Sequence, residues 1–197
     1  LSLQREPPVK RAIDFLLMQQ KEDGGWDEVE RVKETNLPPF LLPGEINTRV
    51  WVTAHCAHWF VRLGYAEPPE AKGCPVNFLL AHRETSGRLV GYLRATWDAL
   101  VLFSYYPGPD SEIFKQTLAA IQKEFSPEKW EGSYMAWLIC CLRDAGLLVH
   151  HPFVRRCLDE LVKKQRPDGS WDSEDGETFA ANATVEALRV IRHYGVV

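Results

Sequence analysis

Ionisable and aromatic side chains fall at matching positions on the second helix of each of four predicted repeat units. Counting back from the glycines that end three of these helices, and from Pro107 for the remaining one, gives His55, Asp98 and Glu186 the same position. Carboxylates and an imidazole so placed could transfer protons as acid and base. Residues three or four apart share a helix face, so this face also carries Trp51, Arg94, Trp137 and Asn182. We take the first three as candidate catalytic residues and these four as candidate substrate-binding residues.

The surroundings of this face permit two interpretations. In the first, it lines the concave centre of a ring of helices. In the second, it meets water, or Asp98 pairs with Arg94 one turn away. An unpaired buried charge costs several kcal/mol, so a carboxylate within the apolar stretch 96–103 needs a partner.

The spacing of His55 and His58 places two imidazoles on nearly one helix face, but zinc needs at least one further ligand, from Asp98 or Glu186. Two histidines on a polar face are usually no more than that. Phosphate loops, nucleophile elbows and metalloprotease motifs are absent. We therefore expect no metal and no cofactor.

An internal repeat in the sequence indicates how the helices that position these residues are organised. The segment 20–26, Gln-Lys-Glu-Asp-Gly-Gly-Trp, returns at 165–171 as Gln-Arg-Pro-Asp-Gly-Ser-Trp, each time after an amphipathic stretch. Weaker copies keep a helix and a glycine at 76–87, and a helix and a tryptophan at 118–130. Such units bury their apolar faces on each other. The chain therefore divides into four units at about 7–64, 65–107, 108–147 and 148–197.

Apolar periodicity predicts a pair of helices in each unit. The first helices of the pairs cover about 8–20, 75–84, 111–125 and 152–165, and the second about 46–63, 91–106, 132–145 and 177–194. Asp110 or Ser111 suits an N-cap, and glycines 64, 146 and 195 suit left-handed C-caps. The long segment 31–45 is too apolar for a solvated linker. We expect it to pack over one mouth of the ring through Leu37, Phe40, Leu41 and Leu42.

The Gln-x-x-Asp-Gly-x-Trp pattern resembles the "QW" motif of the prenyltransferase and squalene-cyclase repeat superfamily. The resemblance implies an all-α fold, an α/α toroid-like array of about four helical hairpins in a single domain, 1–197. Six hairpins are usual in that family, so a missing segment or another copy of the chain would be needed to complete the ring. It also implies that the Gln amide and the Trp ring clamp one helix end to the start of the next helix. Because a helix N-terminus leaves backbone N–H groups without partners, we expect the Gln oxygen to accept from them.

The catalytic motifs of that superfamily are largely missing. The string Asp172-Ser173-Glu174-Asp175 lies in the turn after Trp171, where the family's Asp-x-Asp-Asp acid is absent. We interpret this string as helix-capping acid, and the corresponding carboxylates after Trp26, those of Asp27, Glu28 and Glu30, support the same interpretation. The Asp-x-Cys zinc pair and the Cys-Gly-Glu-Gln thioester are also absent. Whether the chain is an enzyme therefore stays open, and we expect no class II cyclisation by this chain alone.

Composition narrows the partners. Apolar residues make up 45% and charged residues 25% of the 197, as in a soluble globular protein, and the net charge of −4 argues against nucleic acid. We expect no transmembrane segment and no signal peptide, and the five cysteines suggest free thiols in the cytoplasm.

Three functions remain. The domain binds an isoprenoid or other hydrophobic small molecule in its concave centre; it is a non-catalytic binding or assembly scaffold; or it is an enzyme on a sugar-like substrate with Asp98 and Glu186 as paired carboxylates.

Overall fold

The protein is all-α, as predicted. The structure, a computed structural model, describes residues 6–34, 38, 41–65 and 73–196. Within these residues lie eight α-helices: α1 Pro7–Gln19, α2 Ile46–Leu63, α3 Pro75–Ala81, α4 Leu93–Tyr105, α5 Glu112–Glu124, α6 Gly132–Asp144, α7 Pro152–Lys163 and α8 Ala180–Tyr194. Every helix expected from the periodicity is present, and bounds differ by three residues at most. No helix among the described residues has the length and apolar character to span a membrane.

The chain divides into two compact units, Leu1–Ile121 and Gln122–Val197. In the first unit α2 packs along α4, and α3 packs against both. In the second unit α6 packs along α8, and α7 packs on α6. The single domain and the ring of hairpins stay predictions.

The helices α2 and α8 each bury a face of small residues, as their sequences indicate. Ala54 and Ala57 on α2, and Ala183 and Ala187 on α8, are all buried. Small side chains let neighbouring helices approach closely. The polar groups of these helices are therefore left on their other faces.

The two tryptophans of the strong repeat fix each turn to the helix before it. The indole Nε1–H of Trp26 donates to the Leu16 carbonyl oxygen at 2.7 Å, and that of Trp171 donates to Leu161 at 2.7 Å. Both rings are only 2% exposed. Each indole thus supplies a donor to a carbonyl near the end of a helix, where backbone acceptors lack intrahelical partners.

The glutamines act differently from our expectation. We expected the Gln oxygen to accept from a helix N-terminus, but the bonds run the other way. Gln20 Nε2 donates to the carbonyl oxygens of Gly24 at 3.0 Å and Gly73 at 2.9 Å, the latter just before α3. Gln165 Nε2 donates to Gly169 within its own turn at 3.0 Å. Only Gln20 therefore links its turn to the approach to another helix.

The second helices of the four repeat units, α2, α4, α6 and α8, are here called the inner helices. Threonines at one shared position of three of them bind the residue that follows the turn. Their Oγ1 atoms accept the backbone N–H that follows the turn: Thr53 from Trp26 at 2.8 Å, Thr96 from Leu89 at 3.1 Å and Thr184 from Trp171 at 3.0 Å. The second repeat unit, 65–107, therefore has the same turn, with Leu89 in the position of the tryptophan. The weak similarity of residues 83–89 to the motif had concealed it.

Asp27 and Asp172, the acids directly after the two tryptophans, both accept backbone N–H groups, but, contrary to our expectation, neither caps the helix that follows it in sequence. Asp172 Oδ1 accepts the N–H of Gly132 at 2.8 Å, which caps α6 rather than the helix that follows in sequence. Asp27 Oδ2 accepts the N–H of Gly44 at 3.0 Å, two residues before α2. Ser111, one of the two N-cap candidates, caps α5 through the Phe114 N–H at 3.2 Å.

The segment 31–45 is only partly described. Glu30–Glu34 forms a 3₁₀ turn, Leu41 is half-buried and Leu42 is 38% exposed. Leu37 and Phe40, which carry much of the packing prediction, lie outside the described residues. Its packing over a mouth of the ring stays a prediction.

Candidate functional site

Two of the candidate catalytic residues, His55 and Asp98, are in contact within the first compact unit. His55 Nδ1 lies 3.1 Å from Asp98 Oδ2, and His58 Nδ1 lies 2.8 Å from Asp98 Oδ1. Asp98 is completely buried on α4, while both histidines come from α2. The partners that hold this carboxylate therefore include two imidazoles one turn apart.

The protonation of this cluster follows from its hydrogen bonds. Burial acts to raise the pKa of Asp98, but the hydrogen bonds and charges of His55 and His58 outweigh it and hold that pKa well below its usual range. An ionised carboxylate only accepts, so both Nδ1 atoms carry a hydrogen. The Nε2 atom of a neutral His55 is then an acceptor, which agrees with the Trp59 Nε1–H that lies 3.3 Å from it.

His55 also forms part of the wall of a cavity of about 260 Å³ in the first unit. The cavity lies between α1, the turn that follows it, and α2. Its lining residues are mostly apolar or aromatic: Phe15, Leu16, Gln19, Trp26, Asp27, Glu28, Val29, Trp51, Val52, His55 and Cys56. An apolar cavity of about 150 Å³ holds benzene, so this one has room for roughly ten non-hydrogen atoms.

Two acids follow each other on the cavity wall and differ in their contacts. The Asp27 carboxylate accepts from Gly44 and lies 3.9 Å from the Arg49 Nε. Among the described residues, the Glu28 carboxylate has no hydrogen bond or ion pair; burial, and then the charge of Asp27, raise its pKa. Glu28 is thus the acid of this cavity whose charge is not compensated within the described part of the chain.

The thiol on the same wall is not a nucleophile at neutral pH. Burial, followed by the charges of Glu28 and Asp98, raises the pKa of Cys56 to about 12. A thiol with such a pKa stays protonated.

The other candidate residues have these positions. Trp51 lines the cavity, and Arg94 is half-buried on α4. In the second unit, Trp137 is half-buried, Asn182 is exposed, and Glu186 Oε1 pairs with Arg189 Nη1 at 2.5 Å. A common centre formed by residues of both units stays a prediction, as do the catalytic roles of Asp98, Glu186 and His55.

Sequence reasoning missed most of the cavity. Phe15, Glu28, Val52 and Cys56 were not candidates, because the inner-helix alignment considered one helix face only. One feature of the sequence pointed to Glu28, its position two residues after Trp26, but we interpreted the acids after Trp26 as helix caps. The cavity depends on how α1 and its turn lie against α2, which a single helix pattern does not contain.

Comparison with known proteins gives one distant similarity. The lanosterol synthase of Pneumocystis carinii is 27% identical to this chain over 177 residues. That alignment covers 83% of this chain but 20% of the enzyme, so the chain spans about a fifth of the length of its relative. No family model matches the chain. The similarity supports a squalene-cyclase-like relationship.

Proposed function

We propose that this domain binds an isoprenoid or another hydrophobic small molecule in the cavity of its first unit. The observation that carries the proposal is the cavity itself, about 260 Å³ with Phe15, Trp26 and Trp51 among its lining residues. Ligand sites are typically concave and mostly apolar, with few polar groups. The distant similarity to lanosterol synthase supports the same ligand class.

The size of the cavity limits the ligand. Pockets that enclose drug-sized molecules run from about 300 to 1,000 Å³, and this cavity lies just below that range. It suits a short isoprenoid such as geraniol, whereas squalene is far larger. The proposed ligand is therefore a short isoprenoid or a compact apolar group.

Binding is better supported than catalysis by the groups on the wall. A neutral His55 would act as a base through Nε2, but that atom already accepts from Trp59. The Asp98 carboxylate is fully buried and holds two imidazoles, and Glu186 is paired with Arg189. These contacts give a hydrolase with paired carboxylates no specific support. The scaffold alternative predicts no small-molecule binding, so a binding measurement distinguishes it.

A cavity-filling substitution tests the proposal. Geraniol binding is measured by ligand-observed NMR on the wild-type chain, on Val52→Phe, which adds a ring at the cavity wall, and on Val149→Phe, an equal change at an exposed site in the other unit. We expect Val52→Phe to weaken binding at least tenfold and Val149→Phe to leave it unchanged. Circular dichroism confirms that each variant is folded. No geraniol binding by the wild type, or equal binding by Val52→Phe, would refute the proposal.

A further inference from the structure

Among the described residues that line the cavity, negative charge predominates. Asp27 and Glu28 both line it, and Asp98 lies behind His55. The Nε atom of Arg49 lies 3.9 Å from Asp27 Oδ2, and its Nη2 is also paired with Asp23 Oδ2 at 2.8 Å. The positive charge of Arg49 is therefore shared between two carboxylates.

The remaining polar groups on the wall do not compensate Glu28. Gln19 is neutral, the Cys56 thiol stays protonated, and the Nδ1 atom of His55 is bound to Asp98 rather than to Glu28. A carboxylate beside apolar groups without a counter-charge is destabilising. A ligand that brought a positive charge would remove that cost, whereas an anionic ligand would be repelled.

The aromatic groups favour the same kind of ligand. The ring faces of Trp, Tyr and Phe attract cations by their quadrupole, most strongly for quaternary ammonium groups enclosed by several rings. Trp51 and the half-exposed Phe15 both line the cavity, and so does the buried Trp26. An acid among aromatic rings suits an organic cation better than a neutral hydrocarbon.

We propose that the cavity binds a small organic cation, an apolar group of roughly ten non-hydrogen atoms that bears an ammonium, with its charge at Glu28 and the rings of Trp51 and Phe15. This inference rests on the proposed function, since it names the ligand class for the same cavity. It adds a requirement that does not follow from an apolar cavity alone: the positive charge of the ligand must increase its affinity for the cavity.

A matched pair of probes separates the two proposals. Phenyltrimethylammonium and tert-butylbenzene have nearly the same shape and differ in one positive charge. Their dissociation constants are compared at pH 7 by ligand-observed NMR on the wild-type chain, on Glu28→Gln and on Glu22→Gln. Glu22 is an exposed acid on the same turn that does not line the cavity, so its variant removes the same charge from outside the site.

We expect the wild type and Glu22→Gln to bind the ammonium at least tenfold more tightly than tert-butylbenzene, and Glu28→Gln to reduce that preference to threefold or less. Equal affinity of the wild type for both probes would overturn the cation inference and leave the apolar cavity standing. Binding of neither probe would overturn both proposals. A preference retained in Glu28→Gln, or lost equally in Glu22→Gln, would refute the role of Glu28.

Discussion

Replacing Trp171 by alanine removes the side chain that joins the last turn to α7. The ring is 2% exposed, and its Nε1–H donates to the Leu161 oxygen at 2.7 Å. A tryptophan buries about 150–250 Å², which at about 25 cal/mol per Å² gives an upper value of about 4–6 kcal/mol. Alanine keeps the Cβ, and the denatured chain already buries part of the surface. We therefore expect a loss of about 3–5 kcal/mol in the free energy of unfolding.

Two further variants separate burial from hydrogen bonding. Trp171→Phe keeps an aromatic ring but lacks the donor; because the Leu161 oxygen also accepts from Lys164 at 3.1 Å, we expect a loss of only about 1–2 kcal/mol. Phe179→Ala, at an aromatic residue 49% exposed in the same unit, should cost less than about 1 kcal/mol. Urea unfolding followed by far-UV circular dichroism measures all three. A loss below about 1 kcal/mol for Trp171→Ala would refute the clamp.

Two other predictions follow from the polar contacts. Asp172→Ala removes the acceptor that caps Gly132 on α6, so urea unfolding should show a loss of about 0.5–2 kcal/mol in the free energy of unfolding. The control Asp175→Ala, at an exposed acid, should show almost no loss. Equal losses in the two variants would contradict the cap. Asp98 has a depressed pKa in the folded state because His55 and His58 bind its carboxylate. Its stabilisation is therefore present above the unfolded value of about 3.9 and is lost as pH falls below that value toward the folded pKa. The free energy of unfolding should fall less steeply below about pH 4 in Asp98→Asn than in the wild type, and identical slopes would contradict this assignment.

Local patterns determined the helices. Apolar spacing, the prolines at the first position of α1, α3 and α7, and the glycines after α2 and α8 each act through the backbone of a few neighbouring residues. Gly64 and Gly195 have positive φ values of 72° and 65°, as left-handed caps require. Such signals do not depend on distant contacts, so they could be recognised before any packing was known.

Alignment of the inner helices also brought His55 and Asp98 to one position, and the structure places their side chains in contact. It did not show that His58 would bind the other carboxylate oxygen, because that depends on the rotation of α2 against α4. The alignment also brings the threonines of α2, α4 and α8 to one position, but it does not show which groups they bind. Thr53 binds the backbone of Trp26, 27 residues earlier, and no local pattern encodes that bond.

The sequence by itself determined the all-α architecture, the repeated turn and the polar face of the inner helices, since all three arise from spacing along the chain. Only the tertiary structure decided which partners the polar groups have and where a cavity opens. Gln20 donates to Gly73 across 53 residues, and Glu28 lies on an apolar wall made by two different helices. Such contacts are set by the packing of separate elements, where a shift of about one ångström makes or breaks a hydrogen bond.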